Sequence, residues 1–181
     1  MNMGEILRTA TEVVAQPSTM SEFWKAVFSG NNLALLGAAL ATLLAGIGSA
    51  KGVNMVAKAT AGLISEDPSK FGKAFLLQAL PMTQGIYGLV TSFMIIFKMG
   101  ILGGEVVTLT AAQGGYYLFA ALPIAFGGLY SAIKQGEVAA AGISVLAKRP
   151  DATGKAIISA SLVETYAIFA VLVSLLLVLF A

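Results

Sequence analysis

A single carboxylate lies inside an apolar run near the end of the sequence. Glu164 is the only charged residue after Lys155, in the stretch SLVETYAIFAVLVSLLLVLFA. A carboxylate near the middle of a bilayer costs about 2.5–3.5 kcal/mol on insertion scales, so an acid kept there indicates a function. Glu164 is therefore a candidate ion-carrying carboxylate.

Gln135 is the residue that we expect to lie beside Glu164. Gln135 precedes Arg149 by as many positions as Glu164 follows Pro150. Two antiparallel helices that leave a turn at this Arg-Pro pair bring both side chains to the same depth, roughly 15–20 Å beyond the turn.

Lys134 offers a competing role for Glu164, that of partner in an internal ion pair. Lys134 neighbours Gln135 in the sequence but points about 100° away around the helix. Glu137, three residues further on, neutralises the lysine more simply. We therefore expect Lys134 to pair with Glu137.

The stretch LPMTQGIYG contributes a second set of polar groups. Its residues at spacing i, i+3, i+4 and i+7 share one helical face: Leu80, Thr83, Gln84 and Tyr87. Pro81 lacks an N–H, which frees the carbonyl of Leu77. A carboxylate, two amides, a hydroxyl and a phenol at one depth supply several oxygens and one negative charge, which suits a small monovalent cation.

The composition indicates that membrane-spanning helices position these groups. Of the 181 residues, 57% are hydrophobic and 11% are charged. Four apolar stretches reach the roughly 20 residues that a helix needs to cross a bilayer; they cover residues 33–64, 72–97, 114–146 and 155–180. We predict an all-α membrane protein with four transmembrane helices.

Missing residue types exclude other chemistry. The chain has no cysteine and no histidine, which excludes disulfides, thiolate metal sites, thiol nucleophiles and the commonest general base. The net charge of +2 is too small to indicate a nucleic-acid partner. We expect contact with lipid and no covalently bound cofactor.

The chain matches itself without a gap when it is shifted so that Gly46 falls on Gly128. GIGSAKGVNMVAKA then falls on GLYSAIKQGEVAAA, and PSKFGKA falls on PDATGKA. The unit is a helical hairpin, duplicated as a parallel repeat. We predict two transmembrane hairpins, residues 31–100 and 113–181, with Glu164 superposed on Met82 of the first.

The loops predict the orientation in the membrane. The hairpin turns SEDPSKFGK and AKRPDATGK carry most of the loop lysine and arginine, whereas the connection MGILGGEVVTLTAAQGG carries an acid. The positive-inside rule then places both turns in the cytoplasm and both termini on the outer side.

Residues 1–30 form a predicted N-terminal extension with two apolar stripes. The first ends at Pro17, and the second contains Phe23, Trp24, Val27 and Phe28. An amphipathic segment at the membrane interface, anchored by Trp24, and a frayed extension are both compatible with this pattern.

The motifs LPMTQGIYG, KQGEVAAAGI and LVETYAI on a duplicated hairpin resemble the proteolipid of vacuolar-type rotary ATPases, and are closest to the bacterial sodium-translocating branch. The resemblance implies a non-catalytic, multi-pass subunit of the cell membrane. Identical copies would form a ring that turns against a stator subunit with a positive charge, and a central stalk would link the ring to a soluble ATP-hydrolysing head.

The resemblance also assigns roles to residues. Glu164 becomes the carboxylate that carries Na⁺ during ATP-driven rotation, and Tyr87 donates a hydrogen bond to it. The implied Na⁺ ligands are the side chains of Thr83, Gln84 and Gln135 and the carbonyl of Leu80. A ring of the same family that carries H⁺, and a small ion-coupled secondary exporter, remain alternatives at this stage.

Overall fold

Helices make up nearly all of the part of the chain that the structure, a computed structural model, describes, which is residues 19–181. These residues form helices α1 (Met20–Val27), α2 (Gly30–Glu66), α3 (Phe71–Ala79), α4 (Thr83–Lys98), α5 (Ala111–Lys148) and α6 (Thr153–Leu179). Short 3₁₀ turns cover Pro68–Lys70, Leu80–Met82, Ile101–Gly103 and Pro150–Ala152.

Within residues 19–181, four helical spans are long and apolar enough to cross a membrane: Gly30–Glu66, Pro68–Lys98, Ala111–Lys148 and Pro150–Leu179. The predicted all-α fold with four spans is confirmed. The first span has 37 residues and the third has 38. At 1.5 Å per residue both are about 55 Å long, so each exceeds the roughly 30 Å of a bilayer core and extends beyond it.

Only the second stripe of the N-terminal extension falls within the described residues; the stripe that ends at Pro17 lies outside them. The second stripe forms helix α1, capped by the Thr19 hydroxyl, and none of its residues is buried. The rings of Phe23 and Trp24 lie edge to face with their centroids 5.2 Å apart. Both interpretations of the extension therefore stay predictions.

Small residues let α2 and α5 pack at very short distance. A Cβ atom built on Gly48 would lie 2.6 Å from the carbonyl oxygen of Leu129, and one on Gly136 would collide with Cα of Gly52. In lipid, such close van der Waals contact drives helix association. This pair forms one layer; α4 lies against α2, α6 lies against α5, and α4 and α6 also meet.

The two hairpin turns share one design. Asp67 caps the C-terminus of α2, and Arg149 caps the C-terminus of α5. In each turn the next residue is a proline that begins a 3₁₀ turn. The hydroxyl of Ser69 donates to Asp67 Oδ1 at 2.5 Å, and this hydrogen bond lowers the pKa of the Asp67 carboxyl. The proline turns, 68–70 and 150–152, are related by the same shift as Gly46 and Gly128, as the repeat predicts.

The second span breaks at Pro81. A 3₁₀ turn, Leu80–Met82, separates α3 from α4, because proline has no N–H for the helical ladder. This break lies one turn before Gln84.

Candidate ion-binding site

Helix α6 holds Glu164 well inside the span. The helix begins at Thr153 and ends at Leu179, and Glu164 lies near its middle. At 1.5 Å per residue it is about 16 Å from the first end of the helix and about 22 Å from the other. Its side chain is half-buried.

Two donors from two other helices hold the carboxylate. The Tyr87 hydroxyl on α4 donates to Glu164 Oε1 at 2.7 Å, and Gln135 Nε2 on α5 donates to Oε2 at 3.4 Å. Each carboxylate oxygen therefore accepts a hydrogen bond, and hydrogen bonds to a charged group are stronger than neutral ones. The contact with Gln135 agrees with the common depth expected for these residues.

A second layer of amides lies behind the carboxylate. Gln84 Nε2 donates to Gln135 Oε1 at 2.5 Å and to the hydroxyl of Ser131 at 3.3 Å. Both glutamine side chains are completely buried, and buried amides are stable only when their polar atoms have partners. The network fixes Gln135, which in turn contacts Glu164.

Thr83 connects the network to the backbone at the break in the second span. Its hydroxyl lies 3.1 Å from the Leu80 carbonyl, to which it donates, and 3.3 Å from Gln84 Oε1. Two carbonyls of this turn thus have a polar side-chain contact, that of Leu80 and that of Met82, which accepts from the Ser49 hydroxyl at 3.4 Å. The freed carbonyl expected from Pro81 was that of Leu77, whose side chain is buried in the core.

Ser131 is a member of this network that was not predicted from the sequence. Ser131 lies one helical turn before Gln135, so both are on the same face of α5. Its hydroxyl accepts from Gln84 and donates to the carbonyl of Val163 at 3.0 Å. The i, i+4 spacing from Gln135 was the available signal.

Lys134 is not a partner of Glu164. Lys134 Nζ lies 2.9 Å and 3.0 Å from the two carboxylate oxygens of Glu137, and both side chains are exposed. The expected Lys134–Glu137 pair is confirmed, and Glu164 is left without a cation from this helix.

The donor set suits one hard monovalent cation. A phenol and an amide contact the carboxylate directly, and a second amide, a hydroxyl and a backbone carbonyl continue the network from there. Oxygen ligands are typical of hard cations. Among residues 19–181 no group of three or more His, Cys, Asp or Glu side chains could hold a metal ion. One formal charge matches an alkali cation or a proton better than a divalent metal.

The first repeat does not reproduce this chemistry. Subtracting 82 places Met82 at the position of Glu164 and Val53 at that of Gln135. Adding 82 places Tyr166 at the position of Gln84 and Phe169 at that of Tyr87. The described part of the chain therefore provides one such site for four spans.

Comparison with known proteins matches both hairpins to one family. The family model described as the C subunit of ATP synthase matches residues 36–95 and again residues 118–177. The chain belongs to this family. The two matches begin 82 positions apart (118 − 36), so the family match and the self-match define the same duplicated hairpin.

Two relatives place this member of the ATP synthase C-subunit family among rotary ATPases. It is 51% identical over 150 residues to the V-type sodium ATPase subunit K of Enterococcus hirae, covering 83% of this chain and 92% of the relative. It is 39% identical over 146 residues to the A-type ATP synthase subunit K of Methanocaldococcus jannaschii, covering 80% of this chain and 61% of the relative.

The family settles two expectations from the sequence. The resemblance to rotary-ATPase proteolipids is confirmed. The chain is a non-catalytic membrane subunit, as expected, and the alternative of a small secondary exporter is wrong.

Proposed function

We propose that this chain is the rotor ring subunit of a V-type ATPase and carries Na⁺ across the membrane on Glu164 during ATP-driven rotation. The observation that carries the proposal is the position of Glu164 deep within an apolar span, with donors from two other helices on its two oxygens. An isolated charge there is costly, and such residues usually mark ion pathways.

Neutralisation of Glu164 is the central step of this mechanism. A bare carboxylate that turns past lipid faces a large desolvation penalty, whereas a carboxylate that has bound a cation does not. The ring therefore advances past lipid only with its ion bound. Tyr87 and Gln135 hold the carboxylate in place while Na⁺ is carried.

Sodium fits the network better than a proton does. A proton needs only the carboxylate, whereas the site also provides oxygens from Thr83, Gln84, Gln135 and Leu80 around it. We assign these four groups, together with Glu164, as Na⁺ ligands. The E. hirae relative is described as a subunit of a sodium ATPase, which supports the assignment.

Release of Na⁺ requires a positive charge, and no cation of the described residues pairs with Glu164. Among the described residues the only arginine is Arg149, which contacts Asp151 at the hairpin turn, with 3.1 Å between Nη2 and Oδ2. We assign the compensating charge to a stator subunit. A central stalk connecting the ring to a soluble ATPase head supplies the torque, since moving one charge against 100 mV costs about 2.3 kcal/mol.

We place the two hairpin turns in the cytoplasm and the termini outside. Lysines cluster at the turns, where Lys70 Nζ donates to the Ala147 carbonyl at 3.1 Å and Lys73 Nζ donates to the Pro150 carbonyl at 3.4 Å. Because the chain lacks cysteine, Ser69→Cys and Glu105→Cys variants can be labelled in intact cells. A membrane-impermeant maleimide should label only the second; labelling of the first alone would reverse the orientation.

Transport by the assembled ATPase tests the function itself. Inverted membrane vesicles containing the complex should accumulate ²²Na⁺ when ATP is added, and Glu164→Gln should abolish the uptake. Glu137→Gln is the matched control, because Glu137 is exposed and lies outside the network, and it should retain uptake. Normal uptake by Glu164→Gln would refute the proposal.

A further inference from the structure

One hydroxyl group connects the three helices that hold the ion site. Ser131 on α5 is only 6% exposed. Its oxygen accepts a hydrogen bond from Gln84 Nε2 on α4 at 3.3 Å, and its hydrogen is donated to the Val163 carbonyl on α6 at 3.0 Å. Val163 directly precedes Glu164. Ser131 therefore connects the backbone beside the carboxylate with an amide that we assign as a Na⁺ ligand.

The Val163 carbonyl determines the direction of these hydrogen bonds. A carbonyl oxygen can only accept, and two oxygen atoms that lie 3.0 Å apart repel each other unless a hydrogen lies between them. The hydroxyl of Ser131 has one hydrogen, and it is used on Val163. The Ser131 oxygen can then only accept from its other partner, so the atom of Gln84 that faces it must be the nitrogen.

The same constraint orients the whole Gln84 amide. Nε2 has two hydrogens; one is donated to Ser131 at 3.3 Å and the other to Gln135 Oε1 at 2.5 Å. Both hydrogens are therefore used on residues of α5. Oε1 has to point the other way, and it lies 3.3 Å from the Thr83 hydroxyl, within the group of oxygens that we assign to Na⁺.

The oxygens at that end of the amide have too few hydrogens. Thr83 Oγ1 lies 3.1 Å from the Leu80 carbonyl oxygen and 3.3 Å from Gln84 Oε1. The single hydrogen of Thr83 can serve only one of these two contacts. One oxygen is left without a donor, and a hard cation, which binds oxygen ligands, satisfies it.

The equivalent serine of the first hairpin has a different role. Ser49 lies 82 positions before Ser131; its hydroxyl accepts from the Gly85 N–H at 2.8 Å and donates to the Met82 carbonyl at 3.4 Å. Both partners are backbone groups at the start of α4, where the first N–H groups of a helix have no helical acceptor. Helix α6 is continuous at the corresponding level, so the Ser131 oxygen can accept from a side chain instead.

We propose that Ser131 is a positioning residue of the ion site, which fixes the Gln84 amide so that its oxygen, and not its NH₂ group, faces Na⁺. An amide that is turned by half a rotation has nearly the same shape, so packing does not select between the two orientations, whereas the hydrogen bonds of Ser131 do. The inference rests on the proposed Na⁺ binding and adds to it a residue that acts on the ion through a ligand.

Removal of this hydroxyl should weaken Na⁺ binding. In Ser131→Ala, one hydrogen of the Gln84 amide loses its acceptor whenever the amide oxygen faces the ion, and the turned amide becomes a competing orientation. One neutral hydrogen bond corresponds to a change of about 2- to 10-fold in an equilibrium constant, and we expect Na⁺ affinity to fall by this factor. Ser131→Cys, which has nearly the same size but only a weakly hydrogen-bonding thiol, should behave alike and serves should Ser131→Ala fail to assemble.

A double-mutant cycle distinguishes positioning from a merely structural role. A carboxylate has an oxygen at both ends, so in Gln84→Glu the orientation of the side chain no longer matters. Ser131→Ala should therefore have no effect on Na⁺ affinity in the Gln84→Glu background, whereas two independent effects would add. Equilibrium binding of ²²Na⁺ to purified rings measures all four members of the cycle.

Ser174→Ala is the matched control, because it removes another buried serine hydroxyl. Ser174 lies on α6 about 15 Å beyond Glu164 and accepts from the Ile124 N–H at 3.1 Å, outside the network of the ion site. This variant should bind Na⁺ like the parent chain, which would exclude a general effect of losing a buried hydroxyl.

The outcomes separate this inference from the proposed function. Parent rings that bind no Na⁺ would refute the proposed function itself. Parent rings that bind Na⁺, together with unchanged affinity in Ser131→Ala or Ser131→Cys, would overturn only the positioning role. A loss of equal size in the parent and Gln84→Glu backgrounds, or an equal loss in Ser174→Ala, would overturn it as well.

Discussion

The Tyr87 hydroxyl contributes to Na⁺ binding through a single contact that can be removed without changing the shape of the side chain. Tyr87→Phe deletes the hydrogen bond of 2.7 Å to Glu164 Oε1 and keeps the ring. A hydrogen bond to a charged group is worth about 1.5–3 kcal/mol. Since about 1.4 kcal/mol corresponds to a tenfold change in affinity, Na⁺ affinity should fall by about 10- to 100-fold.

We expect this loss of Na⁺ affinity in full because the Tyr87 hydroxyl stabilises the conformation of Glu164 that binds the ion. The hydrogen bond is made where Glu164 lies between Tyr87 and Gln135, and we expect it to be lost when the carboxylate releases its ion. Gln135 Nε2, at 3.4 Å from Oε2, is too long a contact to replace it.

Equilibrium binding of ²²Na⁺ to purified rings measures this effect. Tyr130→Phe is the matched control, since it removes the hydroxyl of a largely exposed tyrosine outside the network. The control should bind Na⁺ like the parent chain. Equal Na⁺ affinity in Tyr87→Phe and the parent would show that the phenol does not support the bound carboxylate, and the account of the site would be wrong in that respect.

Three further changes test other parts of the account. Met82→Glu adds a carboxylate at the repeat position of Glu164 but no ligand oxygens around it, so flame photometry should still find one Na⁺ per chain; two per chain would contradict this. Thr83→Val removes a hydroxyl oxygen at nearly constant volume and should weaken ²²Na⁺ binding by about 10- to 100-fold, the cost of losing a contact to a charge. Gly48→Ala places a methyl group 2.6 Å from a backbone oxygen, and overpacking of this kind costs about 1–3 kcal/mol. The melting temperature of purified rings should therefore fall for this variant. It should not fall for Gly62→Ala, which meets no atom within 4 Å and replaces a helical glycine by a better helix former.

The main features of the fold follow from apolar length and the repeat. Both can be read directly from the sequence. A membrane span needs about 20 apolar residues, and a chain that matches itself at one fixed shift contains two copies of one unit. The common depth of Gln135 and Glu164 follows as well, because antiparallel helices that leave one turn rise at the same rate.

Other features of the site depend on details that spacing does not determine. Ser131 joins the network because Gln84 reaches it from another helix, and the distance between helices is set by packing rather than by pattern. The polar contact at Leu80 rather than Leu77 has the same origin. A proline identifies which carbonyl loses its own N–H partner, but not which carbonyl a neighbouring hydroxyl then contacts.

Carbodiimide modification of Glu164 in purified rings, at constant pH with and without Na⁺, tests the central claim most directly. If Glu164 and its neighbouring oxygens bind Na⁺, added Na⁺ should protect this residue from modification while K⁺ at the same ionic strength does not. Equal modification with and without Na⁺, with sensitivity to pH alone, would show that the carboxylate carries protons and would contradict the account.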